Sequence, residues 1–156
     1  MVCMSALKDR MRADLTAAIK GRDGTRSSTL RMLLTSITNA EVAGKSQVEL
    51  TDDDIVTVLS TEAKKRREAA TAFDEAGRSA MADKERAELL VIGDYLPAQL
   101  SEVEIAAIVT AAIDQTGAAG EGMRAMGKVM GLVSPQVKGK ADGAQVAAEV
   151  RRQLGA

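Results

Sequence analysis

Hydrophobic residues recur along this chain every three or four positions, the spacing that places side chains on one face of an α-helix. Val146, Val150 and Leu154 show the pattern clearly. No segment shows a convincing strand-like alternation of apolar and polar residues. The pattern therefore predicts an all-α protein of about seven helices. From first cap to last residue, the predicted helices are Ser5 to Gly21, Thr25 to Ala43, Thr51 to Gly77, Ser79 to Leu96, Ser101 to Gly117, Met123 to Ser134 and Asp142 to Leu154.

The ends of these helices are marked by residues that satisfy free backbone groups. Ser101 and Glu104 have the spacing of a capping box, and Gly117 offers a C-terminal stop. Pro135 lacks an amide hydrogen and is expected to end the sixth helix. Side-chain caps are further expected at Ser5, Thr51, Ser79 and Asp142.

A proline and a change of composition divide the chain. Pro97 interrupts the helical pattern, and eight of the thirteen glycines lie at or beyond Gly117. We therefore expect an N-terminal helical domain over residues 1–97 and a C-terminal three-helix domain over residues 98–156.

Composition limits the classes of function. The chain is 46% hydrophobic and 28% charged, which is typical of a globular protein rather than a disordered one. Phe73 and Tyr95 are its only aromatic residues, so the core should be aliphatic and rich in methionine. With 21 basic and 22 acidic residues, the overall charge does not by itself indicate a nucleic-acid or membrane partner.

The residue types needed for several chemistries are absent. The chain has no histidine and one cysteine, Cys3, which argues against a metal centre or a Cys-His nucleophile. It has no phosphate-binding glycine motif. Adjacent Asp52, Asp53 and Asp54 suit a helix start better than a magnesium site, because successive helical positions point about 100 degrees apart. We expect no cofactor, no metal and no catalytic residue of the chain's own.

The same features indicate where the chain resides. A single cysteine suits a reducing compartment. No apolar run reaches the length of a membrane span, and the N-terminus lacks the apolar region of a signal peptide. We expect a cytoplasmic protein without a membrane partner.

A first basic cluster lies in the third predicted helix and consists of Lys64, Lys65, Arg66 and Arg67. Glu62 precedes Arg66 by four residues, so the cluster is interpreted either as a solvated face with an internal ion pair or as a contact for phosphates or an acidic partner. Both interpretations stay open at this point.

A second set of basic residues lies in the tail. Arg124 and Lys128 are one helical turn apart, and Gly127 and Gly131 share that spacing, which predicts close packing of another helix backbone. The other basic residues of the tail are Lys138, Lys140, Arg151 and Arg152. We expect one phosphate-binding surface built from these three segments.

Three stretches of the sequence resemble a known protein family. The stretch from Lys64 to Ile105, which contains YLPAQL, resembles the central block of stand-alone YqeY proteins, and LRMLLTSITNAEV from Leu30 to Val42 resembles their second helix. The tail from Met126 to Leu154, which contains KGKADG, is similar both to YqeY and to the C-terminal domain of GatB, a subunit of the tRNA-dependent amidotransferase.

The resemblance implies a bacterial, RNA-associated accessory to translation. In the amidotransferase, the GatB tail helps to hold transfer RNA while another part of the complex performs the amidation. Carried over by position in the matched motif, the RNA-facing residues would be Lys128, Lys138, Gly139, Lys140, Ala141 and Asp142. The chain has nothing that resembles the catalytic body of GatB or the amidase subunit.

The sequence and the resemblance leave three candidate functions. The first is binding of transfer RNA or another structured RNA through Lys and Arg, which agrees with the scarcity of aromatic residues for base stacking. The second is a protein adaptor that docks to an amidotransferase, a synthetase or a ribosome-associated partner, which agrees with the near-zero net charge. The third is a carbon–nitrogen ligase with glutamine as amide donor, for which the sequence offers no nucleophile with an activating base.

Overall fold

The computed structural model describes residues 5–155, and over this range the chain forms seven α-helices and no strand. The predicted all-α class is confirmed. Cys3, on which part of the argument for a reducing compartment depends, lies outside the described residues. The helices are α1 (Ala6–Lys20), α2 (Gly24–Val42), α3 (Asp52–Glu75), α4 (Ser79–Gly93), α5 (Glu102–Thr116), α6 (Met126–Val137) and α7 (Gly143–Leu154).

The described chain divides into two compact units between Leu96 and Pro97. The first unit contains α1 to α4. The second contains α5, a 3₁₀ turn over Gly122–Ala125, α6 and α7.

Each unit buries its own aliphatic core. The first unit encloses side chains from all four of its helices, and its largest fully buried residues are Met11, Leu30, Leu33, Ile37, Ile55, Leu59 and Ile92. The core of the second unit is built mainly from valine, with Val109, Val129, Val133, Val146 and Val150 fully buried alongside Ile105. Aliphatic burial of this kind contributes about 1.5–3 kcal/mol per large side chain.

Most of the predicted helix starts are confirmed. The side chain of Ser5 accepts from the Lys8 amide, and that of Asp142 accepts from the Ala144 amide. Thr51 with Asp54 forms a capping box at the start of α3, which confirms that the three aspartates belong to a helix start. The predicted capping box of Ser101 and Glu104 is present at α5, and Gly117 ends that helix in the left-handed conformation.

The predicted cap at Ser79 is wrong. Gly77, with φ of 71°, ends α3, and the amide of Arg78 bonds back to the Phe73 carbonyl. This tight connection leaves Arg78 in the cap position and makes Ser79 the first residue of α4, with no side-chain cap.

The prediction that Pro135 ends the sixth helix is also wrong, because α6 continues to Val137. Val137 belongs to the buried core of the second unit, and its burial favours continuing the helix past the proline. The side chain of Gln136 donates to the Leu132 carbonyl at 2.9 Å and so satisfies one backbone group of this irregular last turn. Gly131, whose carbonyl cannot receive a bond from Pro135, is exposed to solvent.

Candidate nucleic-acid interface

The four basic residues Lys64, Lys65, Arg66 and Arg67, called the α3 cluster below, are mostly engaged within the first unit. Arg66 is only 6% exposed. Its guanidinium contacts Glu62 at 2.6 Å and Glu88 of α4 at 3.2 Å. The ion pair predicted between Glu62 and Arg66 is present, and Arg66 joins α3 to α4 instead of facing solvent.

The two lysines that precede Arg66 also contact acidic side chains. Lys65 contacts Glu62 at 3.0 Å, and Lys64 approaches Glu68 to 4.0 Å. Burial, the largest single influence, raises the pKa of Glu62. Hydrogen bonds from Lys65 and Arg66 together outweigh burial and hold this pKa below its ordinary value. The geometry therefore favours the interpretation of the α3 cluster as a structural ion-pair network.

The second unit is a three-helix arrangement whose directions follow from its hydrogen bonds. Near the start of α5, the Leu100 amide donates to the Lys140 carbonyl at 2.8 Å, and the Gln99 side chain donates to the Gly139 carbonyl at 2.9 Å. Further along α5, Thr110 donates to the side chain of Gln153 in α7 at 2.8 Å. Helices α5 and α7 therefore run in the same direction, and α6 returns between them.

This arrangement separates the basic residues of the tail into two groups. Lys138, Gly139 and Lys140 lie in the α6–α7 loop, beside the starts of α5 and α7. Arg124, Lys128, Arg151 and Arg152, called the α6-start group below, lie toward the opposite end, because α6 begins where α7 finishes. With a rise of about 1.5 Å per residue, Arg151 is roughly 12 Å along α7 from its first residue. The basic residues of the three segments therefore lie in two groups, and one shared phosphate-binding surface stays a prediction.

The α6-start group is partly neutralised by acidic neighbours. Lys128 contacts Glu121 at 2.9 Å, and Arg152 contacts Glu149 at 2.6 Å. Hydrogen bonds first from Arg152 and then from Gln153 lower the pKa of Glu149 to about 2. The side chains of Arg124 and Arg151 are exposed and form no ion pair or hydrogen bond with any residue that the structure describes.

The two lysines of the α6–α7 loop, called the loop lysines below, are more available for binding a ligand than the α6-start group is. Lys138 and Lys140 are exposed, and within residues 5–155 their side chains have no acidic or hydrogen-bonding partner. Gly139 between them has φ of 74°, a left-handed conformation that L side chains rarely adopt. The left-handed turn places the two lysines on either side of a short reversal of the chain.

The predicted packing role of Gly127 and Gly131 is wrong. Both residues are exposed, and a Cβ atom added at either position would meet no atom within 4 Å. They create a smooth outer face on α6 rather than a contact with another helix.

An apolar groove beside the loop lysines was missed by the sequence reasoning. It is lined by residues from the end of α6, the following loop and the start of α7, including Met130, Val137 and Val146. The signal in the sequence is the four-residue spacing of Val133 and Val137 across Pro135, the position at which the sequence predicts the helix to end.

Two kinds of feature are absent from residues 5–155. No three acidic or thiol side chains in this range come together as metal ligands. None of the helices described is long and apolar enough to cross a bilayer.

The chain belongs to the YqeY-like protein family, whose model matches residues 8–154. The family anticipated from the sequence is thus confirmed. The chain is similar to altered inheritance of mitochondria protein 41, mitochondrial, of Pyrenophora tritici-repentis, at 29% identity over 151 residues, which cover 94% of this chain and 80% of that protein. It is also similar to an uncharacterized protein of Schizosaccharomyces pombe, at 33% identity over 94 residues, which cover 60% of this chain and 74% of that protein. Neither name states a ligand or a reaction.

Proposed function

We propose that this chain is a non-catalytic accessory protein that binds transfer RNA or another structured RNA through phosphate contacts of its second unit. The observation that carries the proposal is a difference between its two sets of basic residues. Lys64, Lys65 and Arg66 of the α3 cluster are held in ion pairs within the first unit. Four basic side chains of the second unit are exposed and, among the described residues, without partners: Arg124, Lys138, Lys140 and Arg151.

The aromatic content supports a structured RNA rather than a single strand. Proteins that bind single strands without sequence preference stack bases on aromatic side chains. Phe73 and Tyr95 both lie in the first unit, and Tyr95 is buried, so the second unit can offer charge but no stacking platform. Lysine and arginine contacts to phosphate suit a folded RNA.

The resemblance of the tail to the C-terminal domain of GatB supports transfer RNA as the first RNA to test, in connection with tRNA-dependent amidation or translation. A role as protein adaptor is the alternative, and the apolar groove of the second unit is the feature that favours it.

The test is a salt titration of binding to bulk transfer RNA by fluorescence anisotropy. One double variant, Lys138→Ala with Lys140→Ala, removes the loop lysines. A second, Arg124→Ala with Arg151→Ala, removes the unpaired arginines. The matched control, Lys64→Ala with Lys65→Ala, removes two exposed charges from the α3 cluster.

We expect a dissociation constant on the order of micromolar at low salt. The log–log salt slope should fall by roughly 2 when both loop lysines are removed, since each phosphate contact contributes about 1. The control should keep the wild-type slope. An equal fall in all three variants would mean diffuse charge attraction, and no binding by the folded wild-type chain at low salt would exclude the proposal.

A further inference from the structure

The end of α6, the α6–α7 loop and the start of α7 enclose an open groove of about 530 Å³, called the α6–α7 groove below. Val137 and Val146 are buried members of its lining, and Met130 and Ala141 are partly buried. Ser134 and Lys138 are exposed members and so lie at its edges. This volume is within the range of roughly 300–1,000 Å³ that is typical of ligand sites.

We propose that the α6–α7 groove docks a peptide segment of another protein in which apolar side chains stand next to acidic ones. Apolar lining residues favour aliphatic or aromatic side chains, because removing these side chains from water is favourable.

The charge around the groove indicates the acidic part of the partner. Lys138 lines the groove and Lys140 lies two residues further on, and neither has a side-chain partner within the described range. Gly143, the first residue of α7, also lines it, so the positive end of that helix faces the same region. Asp142, whose carboxylate caps α7 by accepting from the Ala144 amide, offsets part of this charge but not that of both lysines. The net character of the edge is positive, which complements a carboxylate.

The same observations favour a peptide over RNA as the occupant. An apolar lining offers nothing to a phosphate or a ribose, and the second unit has no aromatic side chain on which a base could stack. RNA binding through the exposed cations does not require the groove, so this proposal goes beyond the proposed function and can fail independently of it.

The experiment selects peptides and then locates them. A display library of random 12-residue peptides is panned on the full chain, and the enriched peptides are synthesised with a fluorescent label and titrated by anisotropy. The blocking variant is Ser134→Glu, which puts a negative charge at the groove edge. The matched control is Gln136→Glu, which adds the same charge to an exposed position of the same helix outside the groove lining. It also gives up the hydrogen bond to the Leu132 carbonyl, so its thermal midpoint is compared with that of the wild type. Circular dichroism verifies that both variants keep their helix content.

We expect the enriched peptides to combine Leu, Ile, Met or Phe with Asp or Glu. They should bind Ser134→Glu at least about tenfold more weakly than wild type, and Gln136→Glu within about twofold. Lys138→Gln should weaken binding several-fold and reduce its salt dependence.

Three results would overturn the proposal. The first is the absence of any enriched peptide, and the second is enrichment of peptides that bind Ser134→Glu as well as wild type. The third is peptide binding whose affinity and salt dependence are unchanged in Lys138→Gln, which would remove the reason for an acidic residue in the partner.

Discussion

The hydroxyl group of Tyr95 donates a hydrogen bond to a carboxylate oxygen of Asp14 at 2.6 Å, and this contact joins the segment after α4 to α1. Arg26 of α2 donates to the Tyr95 oxygen at 3.2 Å and to Asp94 at 2.8 Å. The guanidinium of Arg10 lies 4.8 Å from the centre of the Tyr95 ring, within the range of a cation–π contact. Three helices of the first unit are therefore tied together at one side chain, which is only 4% exposed.

This environment predicts an unusual titration of Tyr95. Burial first, and the hydrogen bond to Asp14 second, raise the pKa of Tyr95 from its ordinary 10.0 to about 12. Because Tyr95 is the only tyrosine and the chain has no tryptophan, tyrosinate absorbance near 295 nm reports this residue alone. We expect a midpoint close to 12 in the folded protein and close to 10 in urea. A folded midpoint near 10 would contradict the geometry.

The same shift predicts how stability depends on pH. Since the folded pKa lies above the unfolded one, the neutral hydroxyl stabilises the fold fully below pH 10, and that contribution is lost as the pH rises through 12. Tyr95→Phe should lower the free energy of unfolding by about 1–2 kcal/mol at neutral pH, because it removes a buried hydrogen bond. In urea titrations, the difference between wild type and variant should shrink between pH 10 and 12.

Arg66 provides a second prediction, which concerns the ion-pair network of the α3 cluster. Arg66→Ala leaves the carboxylates of Glu62 and Glu88 largely buried without their common partner. Removing one member of a buried ion pair costs about 3–5 kcal/mol. Urea denaturation at pH 7 should show this loss, and the loss should become smaller as the pH falls, because Arg66 helps to hold the pKa of Glu62 below its ordinary value only in the wild-type protein.

The control for this experiment is Lys64→Ala. Lys64 and Glu68 are both exposed and 4.0 Å apart, so the change should cost roughly 0–1 kcal/mol. Transfer-RNA binding should be unchanged in Lys64→Ala. A loss of RNA binding there, without a loss of stability, would return the α3 cluster to the RNA interface.

The pair of Glu149 and Arg152 at the end of α7 gives a third prediction. Hydrogen bonds from Arg152, and next from Gln153, lower the pKa of Glu149 from 4.5 to about 2. A depressed carboxylate pKa stabilises the fold above the unfolded value, and this contribution is lost as the pH falls from 4.5 through 2. In Arg152→Gln, carboxyl-carbon NMR should show the pKa of Glu149 moving back toward 4.5. An unchanged pKa would mean that the contact does not persist in solution.

The fold could be predicted from the sequence to a large extent because its signals are local. Helical periodicity, the capping box of Ser101 and Glu104, and the left-handed stop at Gly117 each involve residues within a few positions of one another. The errors arose where tertiary packing decides. Burial of Val137 carries α6 past Pro135, and no local rule indicates which apolar residue a core will hold.

The candidate site was less predictable for the same reason. The sequence shows which candidate residues are basic, but their grouping depends on the direction of α6 relative to α7, which sequence spacing does not contain. Lys128 and Lys138 are ten positions apart on one helix and its following loop, and they lie toward opposite ends of the unit. The partner of Arg66 in α4, Glu88, could not be inferred because 22 residues separate the two.

Gly131 and Gly139 give the last prediction, because two glycines of the same unit should respond in opposite directions to the same substitution. Gly131 lies inside α6, and an added Cβ would meet nothing within 4 Å. Gly131→Ala should therefore stabilise the protein by about 0.5–1 kcal/mol, since alanine loses less backbone entropy in a helix. Gly139 has φ of 74°, so Gly139→Ala should destabilise by about 1–2 kcal/mol. Thermal unfolding followed by circular dichroism measures both changes. If Gly131→Ala lowered the melting temperature instead, the outer face of α6 would be a packed surface, and the predicted role of Gly127 and Gly131 in close helix contact would be restored.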